Sequence, residues 1–230
     1  MNRMLDVATS MFTTVSRLGA GVQAAKPARR PEKLLELYEF EGCPFCRKVR
    51  DALTELDLDA MVYPSPHGGT VFRPKAIEMG GKSQFPYLVD PNTGRRMYES
   101  DDIVDYLFAT YGGRTPGLLL RGPLATASSA LASAFRPLTG SKARPSKRPA
   151  KPLELWSFEA SPFCRIAREA LCELELPYVL HNVGKDGAGR PEFVARSGKM
   201  MVPYLADPNT GREMFESAAI RKYLYETYAA

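Results

Sequence analysis

An internal repeat is the feature that most constrains what this chain can fold into. Two similar stretches start about 118 residues apart in a chain of 230 residues. The segment 35–41 (Leu-Glu-Leu-Tyr-Glu-Phe-Glu) returns at 153–159 (Leu-Glu-Leu-Trp-Ser-Phe-Glu), and Pro-Phe-Cys-Arg at 44–47 returns at 162–165. Because each copy is long enough for a small hydrophobic core, the repeat predicts two domains of one kind.

Composition and charge set the boundaries of these domains. We expect a helix and basic tether at 1–33, a first domain at 34–113, a connector helix and basic tether at 114–151, and a second domain at 152–230. The segments 1–33 and 114–151 carry 14 Lys/Arg and two acids, a charge of +12, whereas the two domains sum to −7, which gives the net charge of +5. A hydrophobic fraction of 44% is typical of globular proteins, and no window reaches the roughly 18 apolar residues of a membrane span.

Each domain is preceded by an amphipathic helix. In the first helix one apolar stripe is formed by Met4, Leu5, Ala8, Met11, Phe12, Val15 and Leu18. A counterpart at about 123–138 matches it at an offset of 119, and an internal copy indicates a structural element and not a cleaved leader. We expect both stripes to pack on each other or on the domains; peripheral contact with a membrane is the alternative.

Apolar periodicity predicts the order strand, helix, strand, helix, strand, strand, helix in each domain. The helix predicted at 44–56, which follows the first strand of the domain, has one apolar face made of Phe45, Val49, Ala52, Leu53 and Leu56. Asn-Thr-Gly at 92–94 predicts the turn between the last two strands. The last helix is predicted to open at Ser100, or at Ser217 in the second copy, with the serine as N-cap.

Cys43 and Cys46 form a C-x-x-C sequence at the point where a strand turns into a helix. Free amides at a helix start lower a cysteine pKa from about 8.5 to roughly 3.5–7.5, which would make Cys43 a nucleophile. Cys46, one turn later, could resolve a mixed disulfide. The alternative is two small apolar residues at a helix start. No metal is expected, because finger spacing is absent among Cys164, Cys172, His67 and His181.

The second copy has Ser161 in place of the first cysteine, followed by Cys164. Serine forms no disulfide, so a dithiol cycle is excluded there. Its hydroxyl could donate to a bound thiolate, but the interpretation we favour is that Ser161 simply caps a helix. Cys172, in mid-helix, is predicted to be a packing residue.

Proline begins a strand in both copies, at Phe85-Pro86 and Val202-Pro203. A proline there cannot donate to the sheet. A cis bond would turn the backbone of the preceding residue toward an extended ligand, whereas a trans bond would fit an ordinary strand edge, and spacing does not choose between them.

The pair Glu99-Ser100 recurs as Glu216-Ser217. A helix start with a hydroxyl suits a carboxylate and the glutamate suits an ammonium, which together match an amino-acid head group. The structural alternative is a helix cap beside a solvated strand end.

Together these residues resemble the thioredoxin-like N-terminal domain of glutathione S-transferases, which is similar to glutaredoxins, here in tandem over about 34–113 and 152–230. The carriers are Cys43-Pro44-Phe45-Cys46, Pro86 and Pro203, Glu99-Ser100-x-x-Ile103 and Glu216-Ser217-x-x-Ile220. The resemblance implies two tandem thioredoxin-like α/β domains of order βαβαββα. It also implies glutathione as cosubstrate, bound by cis Pro86, Phe85, Glu99, Ser100 and Lys82. The Gly-Lys that holds Lys82 stands two residues further from the proline than in the transferases.

From these observations we expect a glutathione-linked thiol–disulfide oxidoreductase in a cytoplasmic compartment, with a plastid as the alternative. Cys43 would attack, Cys46 would resolve, and the second domain would be a degenerate or binding-only copy. Its partners would be thiol and disulfide substrates and not nucleic acid, because no aromatic platform lies between the basic residues. The alternatives are a noncatalytic adaptor that binds glutathione or docks on a membrane or partner, and a glutathione transferase or isomerase that acts on a small substrate. Only about 38 residues separate the two copies, so we expect no all-helical transferase domain between them. The sequence does not predict an oligomeric state.

Overall fold

A computed structural model describes residues 3–134, 136 and 139–230. The first repeat comprises α1 (Arg3–Val15), β1 (Leu35–Glu39), α2 (Pro44–Glu55), β2 (Ala60–Pro64), α3 (Phe72–Gly80), β3 (Tyr87–Asp90), β4 (Arg95–Met97) and α4 (Ser100–Leu107), which a π-helical turn extends over Phe108–Gly112. The second comprises α5 (Gly122–Ala134), β5 (Leu153–Ser157), α6 (Pro162–Glu173), β6 (Tyr178–Asn182), α7 (Arg190–Ser197), β7 (Tyr204–Asp207), β8 (Arg212–Phe215) and α8 (Ser217–Tyr228). Among the residues described, no helix is long and apolar enough to cross a membrane.

Each repeat folds in the predicted order βαβαββα, so the prediction of two tandem thioredoxin-like α/β units is confirmed. β1 pairs in parallel with β2 and antiparallel with β3, and β5, β6 and β7 repeat this arrangement. The two units share one eight-stranded sheet of order β4-β3-β1-β2-β6-β5-β7-β8. They are joined by antiparallel pairing of β2 with β6, in the register Met61 opposite Val179. This pairing covers an edge strand of each unit, and the sequence did not reveal it.

The core of each unit lies between the sheet and two helices, which are α2 and α4 in unit 1 and α6 and α8 in unit 2. In unit 1 it includes Leu37, Val49, Leu53 and Ile103, all fully buried, and unit 2 buries the corresponding positions. Phe45 is the exception on the predicted apolar face, because it is 46% exposed. Its ring lines the cleft described below.

The two connector helices are exchanged between the units. α1 precedes unit 1 but packs on α6 of unit 2, while α5, which follows unit 1, packs back on α2. Matching hydrogen bonds fix both contacts: Ser10 Oγ donates to the Pro162 carbonyl at 2.7 Å, and Ser129 Oγ to the Pro44 carbonyl at 2.6 Å. The second helix was predicted to end near 138, but 135, 137 and 138 lie outside the described residues.

The expectation that the apolar stripe of α1 packs inward is wrong. The buried face of α1 carries Asp6, Ser10, Thr13 and Arg17, and the stripe of large apolar residues faces outward. Two causes are evident. The small hydroxyl residues allow close approach to α6, and Arg17 is drawn inward by Asp51, with an Nη2 to Oδ2 distance of 2.6 Å.

A buried network of ion pairs joins the two units behind α2 and α6. Glu159 of unit 2 accepts from Arg50 of unit 1 at 2.9 Å and from Arg168, on α6 of its own unit, at 2.8 Å. Glu41 of unit 1 accepts from Arg168 at 3.0 Å. All four side chains are at most 2% exposed, so the charges depend on one another for compensation.

Candidate active site

Cys43 occupies the N-cap of α2, directly after β1. Its Sγ accepts a hydrogen bond from the amide of Cys46 at 3.3 Å, as an N-cap side chain does, and Pro44 is the first helical residue. The Sγ also lies 3.9 Å from the carbonyl oxygen of Phe85. The sulfur therefore faces the helix amides, which is the orientation that a stabilised thiolate requires.

The two cysteines differ in acidity. Burial opposes ionisation of Cys43, but hydrogen bonds from the thiol and amide of Cys46 and from the amide of Phe45 lower its pKa below the usual value. Burial, together with the hydrogen bond to Cys43, raises the pKa of Cys46 well above its usual value. The arrangement thus makes Cys43 the more acidic of the two thiols, with a Cys46 thiol as the hydrogen-bond donor to a Cys43 thiolate.

A cleft of about 360 Å³ opens over Cys43. Its wall includes three residues that the sequence predicted to bind a ligand, Phe85, Glu99 and Ser100. Phe45 and Gln84 also line it. The Phe85–Pro86 peptide bond is cis, as is Val202–Pro203 in unit 2. The structure therefore brings Cys43, Phe85, Glu99 and Ser100 to one surface from three separate parts of the chain.

The start of α4, which was predicted to bind an amino-acid head group, differs from the prediction in its N-cap residue. α4 begins at Ser100, so Glu99 and not Ser100 occupies the N-cap position, and Glu99 makes no side-chain cap bond. The φ of Glu99 is +65°, a left-handed conformation that is uncommon for a residue with a side chain. The Glu99 carboxylate instead accepts from Gln84 Nε2 at 2.6 Å. Glu216 repeats this conformation ahead of Ser217.

Two cleft residues were missed by the sequence reasoning. Arg73, at the start of α3, holds its guanidinium 4.5 Å from the centre of the Phe85 ring. Its Nη2 lies 3.3 Å from Nδ1 of His67, whose backbone amide donates to the Ser141 carbonyl at 2.8 Å. The Nη1 of Arg73 is buried and has no hydrogen-bond partner within the described part of the chain. This places a cation with spare donor capacity in the wall of the cleft.

Lys82 is not brought into this cleft. Its ammonium lies 5.8 Å from the centre of the Tyr98 ring, and its carbonyl accepts from the Tyr98 hydroxyl at 3.1 Å. Lys82 is exposed and absent from the cleft wall. The sequence predicted Lys82 and not Arg73 as a cleft residue, because the position of Arg73 depends on how α3 packs.

Unit 2 repeats the frame of the site without the first thiol. Ser161 is the N-cap of α6, and its Oγ accepts from the Cys164 amide at 3.2 Å, which fits the interpretation as a helix cap. Cys164 is fully buried, and burial raises its pKa. Pro203 is buried and Val202 half-buried. Arg190, 117 residues after Arg73, donates instead to the Val183 carbonyl at 3.1 Å.

Residues 37–115 and 155–230 both match the family described as glutathione S-transferase, N-terminal domain. The chain belongs to this family. The double match confirms a tandem of glutathione S-transferase N-terminal domains, and it supports a glutathione-related function.

Two solved structures are similar to this tandem protein. A Bombyx mori glutathione transferase, BmGSTD1 in complex with GTT, has 27% identity and a TM-score of 0.33; the alignment covers 36% of this chain and 39% of that one. Leishmania TDR1, described as a unique trimeric glutathione transferase, has 14% identity and a TM-score of 0.31 over 86% of this chain and 67% of its own. A comparison with curated proteins found no match.

Proposed function

We propose that this protein is a glutathione-linked thiol–disulfide oxidoreductase whose nucleophile is Cys43. The observation that carries the proposal is the Cys43 sulfur, which lies at a cleft and accepts from the Cys46 amide at 3.3 Å. A thiolate held by helix amides and open to a cleft is the species that attacks disulfides.

Glutathione would lie along the cleft wall with its sulfur at Cys43. The backbone of Phe85 would hold the cysteinyl residue, and Ser100 and Glu99 would hold the carboxylate and ammonium of the γ-glutamyl end. For the glycyl carboxylate we propose Arg73 and not Lys82, because Arg73 lines the cleft and has an unpaired, buried Nη1 among the residues described.

The first step would transfer glutathione from a mixed disulfide to the enzyme. The Cys43 thiolate attacks the glutathione sulfur, a Cys43–glutathione disulfide forms, and the bond from glutathione to the substrate sulfur breaks. The substrate leaves as a thiolate and takes a proton from water. A second glutathione thiolate then attacks the glutathione sulfur of the mixed disulfide, which releases oxidised glutathione and restores the Cys43 thiolate.

This scheme assigns Cys46 a different role from the one expected of a resolving thiol. Cys46 is fully buried, and burial raises its pKa well above the usual value, so little of it is a thiolate at neutral pH. We propose that Cys46 serves as a hydrogen-bond donor that stabilises the Cys43 thiolate, and that turnover uses one enzyme thiol.

Unit 2 would not catalyse this reaction. Ser161 takes the place of the nucleophile, and its Oγ already accepts from the Cys164 amide at 3.2 Å. We propose that unit 2 supports unit 1 structurally, through the shared sheet and the ion network.

Turnover of a glutathionylated peptide in the presence of glutathione tests the proposal. The wild-type protein should release the peptide thiol, and Cys43→Ser should lose the activity. Cys164→Ser, which changes a buried cysteine of the matching helix in unit 2, is the control and should retain it.

A wild-type protein that binds glutathione but releases no peptide thiol would make the site a noncatalytic glutathione-binding one. Activity that survives Cys43→Ser would place the chemistry elsewhere. Alkylation of Cys43 as a function of pH should give a pKa below that of an ordinary cysteine.

A further inference from the structure

The outer surface of the connector helices is apolar. Besides Met4 and Phe12, seven large side chains on or beside α1 and α5 are between 50% and 80% exposed. We name this set the outer face: Leu5, Met11, Val15, Leu18, Leu118, Leu124 and Leu131. α1 and α5 contact each other, so their residues form neighbouring stripes.

The outer face lacks the charge that would draw it to a lipid surface. Asp6 is the only charged residue between 4 and 15, and it is buried against Arg136. Residues 122–134 contain no charged residue. Arg121, just before α5, is paired with Asp105 at 3.1 Å. Helices that lie in a membrane interface usually carry lysine and arginine beside the apolar stripe, whereas interfaces between copies of one chain are depleted in charge.

The spacing of the exposed residues suits packing between helices. In α5 the exposed positions Leu124, Ala127, Leu131 and Ala134 follow one another at intervals of three, four and three. This is the interval of a seam between packed helices, and the alanines allow the backbones to come close. Ala8, Met11 and Val15 continue the pattern on α1.

The extent of the outer face matches one side of a stable interface. At exposed fractions of 50% to 80%, seven large apolar residues present roughly 800 Å², about what each partner contributes to a standard protein–protein contact. It also exceeds the roughly 300–600 Å² that is the largest apolar patch on a typical monomer.

We infer that the outer face is the interface of a homodimer, in which α1 and α5 of one copy pack on α1 and α5 of a second copy. A twofold axis would bring the same surface of each copy together and form a four-helix arrangement. The inference does not depend on the proposed thiol chemistry, because the outer face contains none of the cleft residues.

Sedimentation equilibrium of the full chain, from nanomolar to high micromolar concentration, tests this inference. The wild-type protein should reach twice its chain mass of 25.5 kDa. The double variant Val15→Glu, Leu131→Glu would bury unpaired carboxylates and should weaken the dimer by at least about a hundredfold. The matched control is Val194→Glu on α7, where an exposed valine outside the outer face changes in the same way and the dimer should persist.

Three results would overturn the inference: a wild-type chain that stays monomeric throughout, a dimer that survives the double variant, or a monomer that co-floats with phosphatidylcholine vesicles. If the double variant unfolds, hydrogen exchange of the wild-type protein decides. Peptides from 4–15 and 122–134 should exchange faster on dilution, and exchange independent of concentration would refute the interface.

Discussion

Replacement of Glu159 by glutamine should destabilise both units at once. Burial alone would raise the pKa of Glu159, but Arg168 and Arg50 lower it well below its usual range, so the buried group is an anion. Glutamine keeps the shape and removes the charge from two contacts of 2.9 and 2.8 Å. Loss of one partner from a buried ion network costs about 3–5 kcal/mol.

Urea unfolding followed by circular dichroism measures this effect. The loss corresponds to a fall of roughly 1–2 M in the midpoint for a chain of this size. Because Arg50 belongs to unit 1 and Arg168 to unit 2, we expect one transition that moves as a whole. The control is Glu213→Gln. Glu213 pairs with Arg196, and their side chains are 47% and 42% exposed, so this ion pair should contribute no more than about 1 kcal/mol to stability. Equal shifts for the two variants would refute the claim that the network holds the units together.

Three further predictions concern the site and its pH dependence. Burial, opposed by Arg50, raises the pKa of Glu39 to about 7, so the folded protein keeps a proton that the unfolded chain releases near pH 4.5. The free energy of unfolding should therefore fall as the pH rises from about 5 to 7, which urea titrations at several pH values would measure. The fall should be smaller in Glu39→Gln. Cys46→Ala should raise the pKa of Cys43 in pH-dependent alkylation while mixed-disulfide turnover continues; loss of turnover would restore Cys46 as resolving thiol. Arg73→Leu should raise the KM for glutathione by about tenfold or more, whereas Lys82→Leu should not.

The sequence predicted most of each unit because the determining signals are local. Apolar periodicity around Val49 and Leu53, the Asn-Thr-Gly turn and the cysteine at a helix start each lie within a few residues. The position of Cys43 could also be predicted from its neighbours, because a strand ends just before it and a helix begins just after it. Glu99 and Ser100 were found because the repeat contains them twice.

Features that depend on long-range packing escaped the sequence. α2 has an apolar face that predicted one buried side, yet Arg47 and Arg50 on the other side are also buried, against the neighbouring unit. A charged helix face ordinarily indicates solvent. The partners of Arg50 include Glu159, which lies 109 residues away and is visible only once β2 and β6 pair.

The orientation of α1 failed for a related reason. A stripe of methionine, valine and leucine ordinarily marks the buried side, and here Ser10 and Thr13 lie inward instead. Hydroxyl groups can be buried when each finds a carbonyl, as Ser10 does at Pro162. Thr13 donates to the Thr9 carbonyl of its own helix at 3.0 Å. The exchange of helices supplies the Pro162 carbonyl for Ser10, and nothing near α1 in the sequence reveals that contact.

These long-range contacts explain how a unit without the nucleophile contributes to the site. Glu159 of unit 2 compensates Arg50, which lies one turn of α2 after Cys46. The tether that leads to unit 2 holds the loop of His67 by two backbone bonds, from His67 to Ser141 at 2.8 Å and from Ala143 to His67 at 2.9 Å. His67 in turn contacts Arg73 in the cleft wall. Unit 1 alone would keep Glu39 and Glu41 beside Arg50 but would lose Glu159, the third anion that this buried arginine contacts. It would also lose the support of the cleft wall, so the second copy is part of the structure that surrounds Cys43.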